Sequence, residues 1–197
     1  MTAAPASPPP DDKDWMWILS RSCPECAFDA PALDRAAIAA LVRQVIEVFG
    51  TALAEASAAE RPSPQVWSVL EYGCHIRDVC VLFDARLHLM LCADDPTFDN
   101  WDQDEAALAS RYWEQEPAVV ARELAAAADR IAGAFSAVAG DQWSRSGRRS
   151  NGSVFTIDTF GRYFVHDLVH HAHDIGRSVI GGGYPAASPP PPPRPTR

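Results

Sequence analysis

Positive charge is scarce in this chain: 17 Lys and Arg face 26 Asp and Glu, a net charge of −9 at pH 7. A surplus of that sign excludes general binding to nucleic acid or anionic lipid. Also missing is any unbroken apolar run of the ~18 residues that a membrane span requires. The start, Met1-Thr-Ala-Ala-Pro-Ala-Ser-Pro-Pro-Pro-Asp-Asp12, has neither the basic residues nor the apolar stretch of a secretory signal. The five cysteines are an odd number and follow no disulfide spacing. These absences together lead us to expect a cytoplasmic protein with reduced thiols. There is no GxGxxG, no P-loop and no GxSxG elbow, so dinucleotide, P-loop and elbow-serine chemistries find no support.

Proline is abundant but confined. Eleven of the 17 prolines lie in residues 1–10 and 185–197, which marks residues 1–14 and 183–197 as disordered tails around one domain, 15–182. The tail from Ser188 to Arg197 is an extended polyproline stub, and a ligand for a proline-reading module is its alternative reading.

Between the tails the apolar spacing predicts four long helices. The first covers about 33–59, begins at Asp34 and Arg35, and is stopped by Arg61-Pro-Ser-Pro64. The second runs from near Trp67 to about Cys92. The third starts at Pro117, a favourable first-turn residue, and ends at Val138 or Ala139. The fourth is capped by Thr156, has Asp158 in its first turn, and reaches about Ile180. The fold class is therefore all-α, a four-helix bundle. The first two helices, joined by a short link, are antiparallel neighbours. The long connection 93–116 permits an up-down-down-up order, with the second and fourth helices antiparallel. Trp101 and residues 103–114 are expected to add a short covering helix. Ser153-Val-Phe155 is the best strand candidate.

Four of the six histidines fall in Arg162-Tyr-Phe-Val-His-Asp-Leu-Val-His-His-Ala-His-Asp174. A pair at i, i+4 stacks two imidazoles on one helix face, which is chelate geometry for a transition metal. His166 and His170 form such a pair beside an apolar arc of Val165, Leu168, Val169, Ala172 and Ile175. A third ligand comes from His173 or from another helix. His75 is the prime candidate, since Trp67, Leu70, Cys74, Asp78, Leu82 and Ala85 trace an inward stripe on its helix. Asp174, four residues after His170, is placed to accept from a ring N–H. Asp167 and His171 fall further round and are expected to face another helix or solvent.

Other candidates are weaker. Cys23-Pro-Glu-Cys26 is half of a zinc ribbon with no second CxxC or CxxH to complete it. It lacks the strand–helix setting of a thioredoxin-type redox pair. We therefore expect a simple turn, with its thiols apart from the histidine site. Cys74 is expected in the core. Arg145, Arg148 and Arg149 make a basic loop that either attracts an anionic substrate or is solvated. Trp15, Trp17, Trp67 and Trp143 are expected to pack against the bundle.

Trp67 to His75, with Phe155 to Asp174, resembles the DinB-like family of metal-binding four-helix bundles. The resemblance covers about residues 33–180. That family includes the mycothiol-dependent maleylpyruvate isomerases and the bacillithiol transferases. Its pattern is one His on the second helix and a His/Glu-x-x-x-His pair on the fourth, matched here by His75, His166 and His170. The Cys23–Cys26 segment is not part of that pattern. The resemblance implies a divalent metal, zinc first and nickel second, with an open position for thiol or water. It further implies a small-molecule thiol such as mycothiol acting on an electrophile, as in a thiol-dependent S-transferase or isomerase. A metal-dependent hydrolase, a non-enzymatic metal-binding bundle and a thiol-redox protein are the alternatives. No nucleic acid or membrane partner is expected; monomer and homodimer are both open.

Overall fold

The structure is a computed structural model that describes residues 13–179 together with Pro5 and Pro8. The expected tails lie outside the described residues, apart from Pro5, Pro8, Lys13 and Asp14. Five α-helices are present among the described residues: α1 (Ile38–Leu53), α2 (Val69–Cys92), α3 (Gln103–Ala109), α4 (Pro117–Ala137) and α5 (Ile157–Asp174). The bundle is made of α1, α2, α4 and α5, as the apolar spacing predicts.

Helix ends follow side-chain chemistry. The hydroxyl of Ser68 accepts from Glu71 N, and the Glu71 carboxylate accepts from Ser68 N, a reciprocal box that fixes the start of α2. Thr156 caps α5 by accepting from Thr159 N, and Pro117 opens α4. Two helices stop before their expected ends. The α5 helix ends at Asp174 rather than near Ile180, because Gly176 takes φ +71°. There Gly176 N donates to His173 O and Arg177 N to Ala172 O, which satisfies the last carbonyls. The α1 helix ends at Leu53 rather than near 59. The chain turns there to bury Ala58, whose carbonyl accepts from Leu70 N.

Contacts between helices give their directions. Leu53, at the end of α1, lies 3.1 Å from where a Cβ on Gly73 would sit, near the start of α2. The first half of α1 meets the second half of α4 through Arg43 and Asp129. Arg77 and Glu123 pair 2.8 Å apart, both early in their helices, so α2 and α4 are parallel. Phe83 stacks on Phe160 at 4.5 Å while Tyr72 meets His171, so α2 and α5 are antiparallel. The order is up-down-down-up. Gly161 on α5 lets it close on Ile38 and Phe135; a Cβ there would lie 2.8 Å from Ile38 Cδ1.

The segment Arg35–Leu53 has the length and hydropathy (1.6) of a membrane span. In this fold Ile38, Val42, Val45 and Phe49 on it are core residues.

A three-stranded sheet closes one end of the bundle. It consists of β1 (Thr97–Phe98), β2 (Ser146–Arg149) and β3 (Val154–Thr156), in that order. Strand β1 runs parallel to β2, and β2 antiparallel to β3. The sequence hinted only at β3. Gly147 permits the sheet to rest on α2, because a Cβ there would meet Met90 Cγ at 2.7 Å. Ala85, expected on the inward stripe, is exposed.

Glu71 is 1% exposed and pairs with the Arg61 guanidinium, whose Nε lies 2.8 Å from Oε2. Burial alone would raise its pKa, but Arg61 and Ser68 outweigh it and hold the carboxyl below its ordinary value. Glu71→Gln should therefore destabilise the fold by about 2–4 kcal/mol near pH 7, since it breaks a buried pair and a cap at once. A depressed carboxylate stabilises fully above the unfolded pKa of about 4.3. That contribution disappears as pH falls through the lower folded value. Urea melts of the two proteins should show a gap that narrows only below about pH 4.

Candidate functional site

The last two turns of α5 carry two i, i+4 pairs offset by one residue. One residue is about 100° of rotation, so the pairs face different neighbours. Asp167 and His171 face α2, where they join His75; one ligand atom from each of the three lies within 4.8 Å of the others. His166 and His170 face the chain before α1, where they join Cys23 and Cys26, again all within 4.8 Å.

In the first cluster the His75 ring is 1% exposed, and neither nitrogen has a hydrogen-bond partner. It stacks on Trp101 at 5.5 Å and meets the edge of His171 at 4.8 Å. Burial, then the charge of His171, lowers its pKa to about 3, so the ring is neutral, the form a metal ligand needs. His171 is held at both nitrogens: Nδ1 lies 2.8 Å from Asp174 Oδ2 and Nε2 lies 3.3 Å from Asp167 Oδ1. Burial works against its charge, but the two carboxylates prevail and raise it to about 9. Asp167 is likewise opposed by burial and held below its ordinary value by His171. Once His171 releases its Nε2 proton as an ion binds, two imidazoles and a carboxylate, with a second carboxylate behind one ring, would be the donors and support of a catalytic zinc-type site. The unpartnered nitrogens of His75 show that these residues fit a metal.

A cavity of about 400 Å³ opens on this cluster, and Trp15, Trp101, Arg86, Arg149 and Tyr163 are among its walls. Arg86 is 6% exposed; burial, then Arg149, lowers its pKa to about 10. The guanidinium of Arg149 lies over Phe155 and Tyr163, and its Nε is buried without a hydrogen-bond partner. Of the basic loop, Arg149 thus enters the cavity. Arg148 instead pairs with Asp95 at 2.7 Å, and Arg145 Nε donates to Met90 O.

The second cluster sits under the N-terminal segment, which begins with a 3-10 turn, Trp15–Leu19. The Trp15 ring lies 5.3 Å from His166 and 4.8 Å from His170. Cys23 Sγ is 3.7 Å from His170 Nδ1. Burial, with Cys23 nearby, pushes the Cys26 thiol up to about 12. Burial, then His170, lowers His166 to about 4.

Several expectations change. His75, His166 and His170 do not form one cluster: His166 and His170 stay together, and His75 partners Asp167 and His171 instead. The apolar arc beside His166 suggested an inward face shared with His75, but the His166 ring instead lies against Trp15 and Phe28 of the segment before α1. The thiols do not stand apart from the histidines, because the N-terminal segment folds back onto α5. Asp174 serves His171 rather than His170, from which it is 3.9 Å away. His173 is exposed and belongs to neither cluster, lining instead a smaller cavity of about 290 Å³ with Cys26. Asp167 and His171 also fit the spacing D-x-x-x-H, a signal present in the sequence but masked by the overlapping histidine pair. Cys74 is in the core as expected, whereas Trp15 forms part of a cavity wall.

Comparison with known proteins agrees with this architecture. No curated protein matches the chain. A solved structure, that of YfiT from Bacillus subtilis, superposes with a TM-score of 0.63 at 17% identity. The match covers 71% of this chain and 82% of the other. YfiT is described as a probable metal-dependent hydrolase with an unusual four-helix bundle topology. The profile of the DinB superfamily matches residues 39–175, a span that takes in all four bundle helices, and the chain belongs to that superfamily.

Proposed function

We propose that this protein is a metal-dependent enzyme whose divalent ion, zinc or nickel, is held by His75, Asp167 and His171. The observation that carries the reading is His75: two buried ring nitrogens without partners, beside an imidazole and a carboxylate, at the wall of a cavity. Leaving such nitrogens unsatisfied costs about 1–3 kcal/mol, a cost that a ligand role explains.

The ion supplies Lewis-acid activation of a small nucleophile. The protein's own residues do the rest. Asp174 holds Nδ1 of His171, which fixes the ring and turns Nε2 toward the shared space. Trp15 and Trp101 wall the cavity and limit water. Arg86 and Arg149 set two guanidinium groups into one wall, suited to the carboxylate of an anionic electrophile. Asn100, Asp102, Gln103 and Asn151 add hydrogen-bonding groups that suit a hydroxyl-rich cosubstrate. We therefore favour a low-molecular-weight thiol such as mycothiol as nucleophile, in a transferase or isomerase reaction within a reducing cytoplasm. A hydrolase is the second reading, favoured by the donor set of two histidines and a carboxylate, which also serves zinc enzymes that activate water.

Calorimetry with mycothiol on metal-loaded protein and on His171→Ala decides between them. Metal-dependent binding with proton release supports the thiol reaction; no thiol binding with retained metal favours hydrolysis. Full metal content in His171→Ala overturns the site itself.

Two further outcomes are expected. His75→Leu should remove the metal of this site, yet stabilise the chelator-treated protein by about 1–3 kcal/mol, since it replaces two orphaned nitrogens by apolar surface. Thermal melts with and without chelator measure both effects. Arg149→Met should weaken binding of a dicarboxylate such as maleate by about tenfold, the loss of one charge-assisted contact, while leaving metal content unchanged.

A further inference from the structure

Cys23, Cys26, His166 and His170 bring two sulfurs and two imidazole nitrogens within 4.8 Å of one another, a set that shares no residue with the His75 cluster. A tetrahedral zinc with sulfurs at ~2.3 Å and nitrogens at ~2.0–2.1 Å spaces its donors about 3.3–3.8 Å apart. The Cys23 Sγ to His170 Nδ1 separation of 3.7 Å lies in that range. We propose that these four residues form a closed Cys2His2 zinc site, distinct from the His75 cluster, which pins the N-terminal segment to α5.

Three observations support the assignment independently of any reading of the cavity. First, His166 is 4% exposed and its Nε2 is buried with no hydrogen-bond partner. Second, His170 presents Nδ1 to sulfur while Nε2 lies 3.5 Å from Glu25 Oε2 and 3.9 Å from Asp174 Oδ1. A carboxylate beside the free ring nitrogen is the usual setting of a metal-bound imidazole, a role Glu25 would take on closing from 3.5 Å. Third, the backbone around the thiols is curled to present both. Ala27 N donates to Cys23 O, Cys23 N donates to Phe28 O, and Ala27 takes φ +59°, a left-handed turn that alanine adopts only where its surroundings impose it.

The chemistry of the donors separates the two sites. Two thiolates and two neutral imidazoles neutralise a zinc ion and fill its four positions, so nothing is left for substrate. The ion binds as each thiol gives up its proton to solvent, with no change of oxidation state. Its role is to hold: Trp15 lies against both imidazoles and also lines the cavity, so this ion would fix one cavity wall.

The test uses the full chain purified without a metal-affinity column, with elemental analysis and a zinc-edge absorption spectrum. The wild-type protein should hold one equivalent of zinc beyond that of the His75 cluster, with sulfur in the average first shell. Cys23→Ser with Cys26→Ser should lose that equivalent and all sulfur scattering, and melt at lower temperature. His75→Ala should keep the sulfur-bound zinc, so failure of the cavity site and failure of this one are told apart. If the double-serine protein does not fold, mercurial titration of the wild type gives the same reading, with one zinc released per two thiols modified. Retention of all zinc by the double variant, a first shell of nitrogen and oxygen only, or a Cys23–Cys26 disulfide in protein isolated anaerobically would each overturn the proposal.

Discussion

The clamp of Asp167 and Asp174 on His171 holds one imidazole against His75, and most of the site follows from the face of α5 that this contact turns toward α2. A helix turns as a rigid rod, so with His171 toward α2 the pair His166 and His170 lies about 100° round, toward the N-terminal segment. The clamp also makes burial of a polar helix end tolerable. Four histidines and two aspartates within nine residues could not be packed as unpaired charges. Here the paired groups sit at the centre and the neutral imidazoles on either side, each under an indole ring: Trp101 over His75 and Trp15 over His166 and His170.

The surrounding fold supports this arrangement from a distance. The Ser68–Glu71 box sets the first residue of α2, hence the height at which His75 meets α5. Gly161 lets α5 approach Ile38 and Phe135, and Gly147 lets the sheet lie on Met90. That sheet delivers Arg149 to the cavity. The core is thereby closed with ordinary apolar packing, while the cavity gathers unpartnered buried nitrogens on His75, Arg149 and His166.

Much of this was legible in the sequence. Thr156 as a cap and Pro117 as a first-turn residue act locally, so the starts of α4 and α5 fall where the sequence puts them. The long link before α4 foretold the up-down-down-up order. What was not legible depends on contacts between distant segments. The strand Ser146–Arg149 has no apolar alternation, because one side carries Gly147 and Arg149 and the other Ser146 and Arg148. The choice between His166–His170 and Asp167–His171 as the face toward α2 turned on a single residue step, which a helical wheel with apolar residues on both sides cannot decide. Cys23 and His170 are 147 positions apart, and the incomplete CxxC gave no hint that its missing half lay on the last helix. In chain-entropy terms, tying points so far apart restricts the unfolded chain by on the order of 4–5 kcal/mol.

The two indoles give the molecule a property of a different kind. Trp101 is stacked on one imidazole cluster and Trp15 packs on the other. Each is an intrinsic fluorophore whose emission responds to the charge and protonation of the ring beside it. The chain has six tryptophans, and variants that keep Trp15 alone or Trp101 alone would turn the protein into its own spectrometer, reporting one cluster at a time as ions, protons or small molecules arrive.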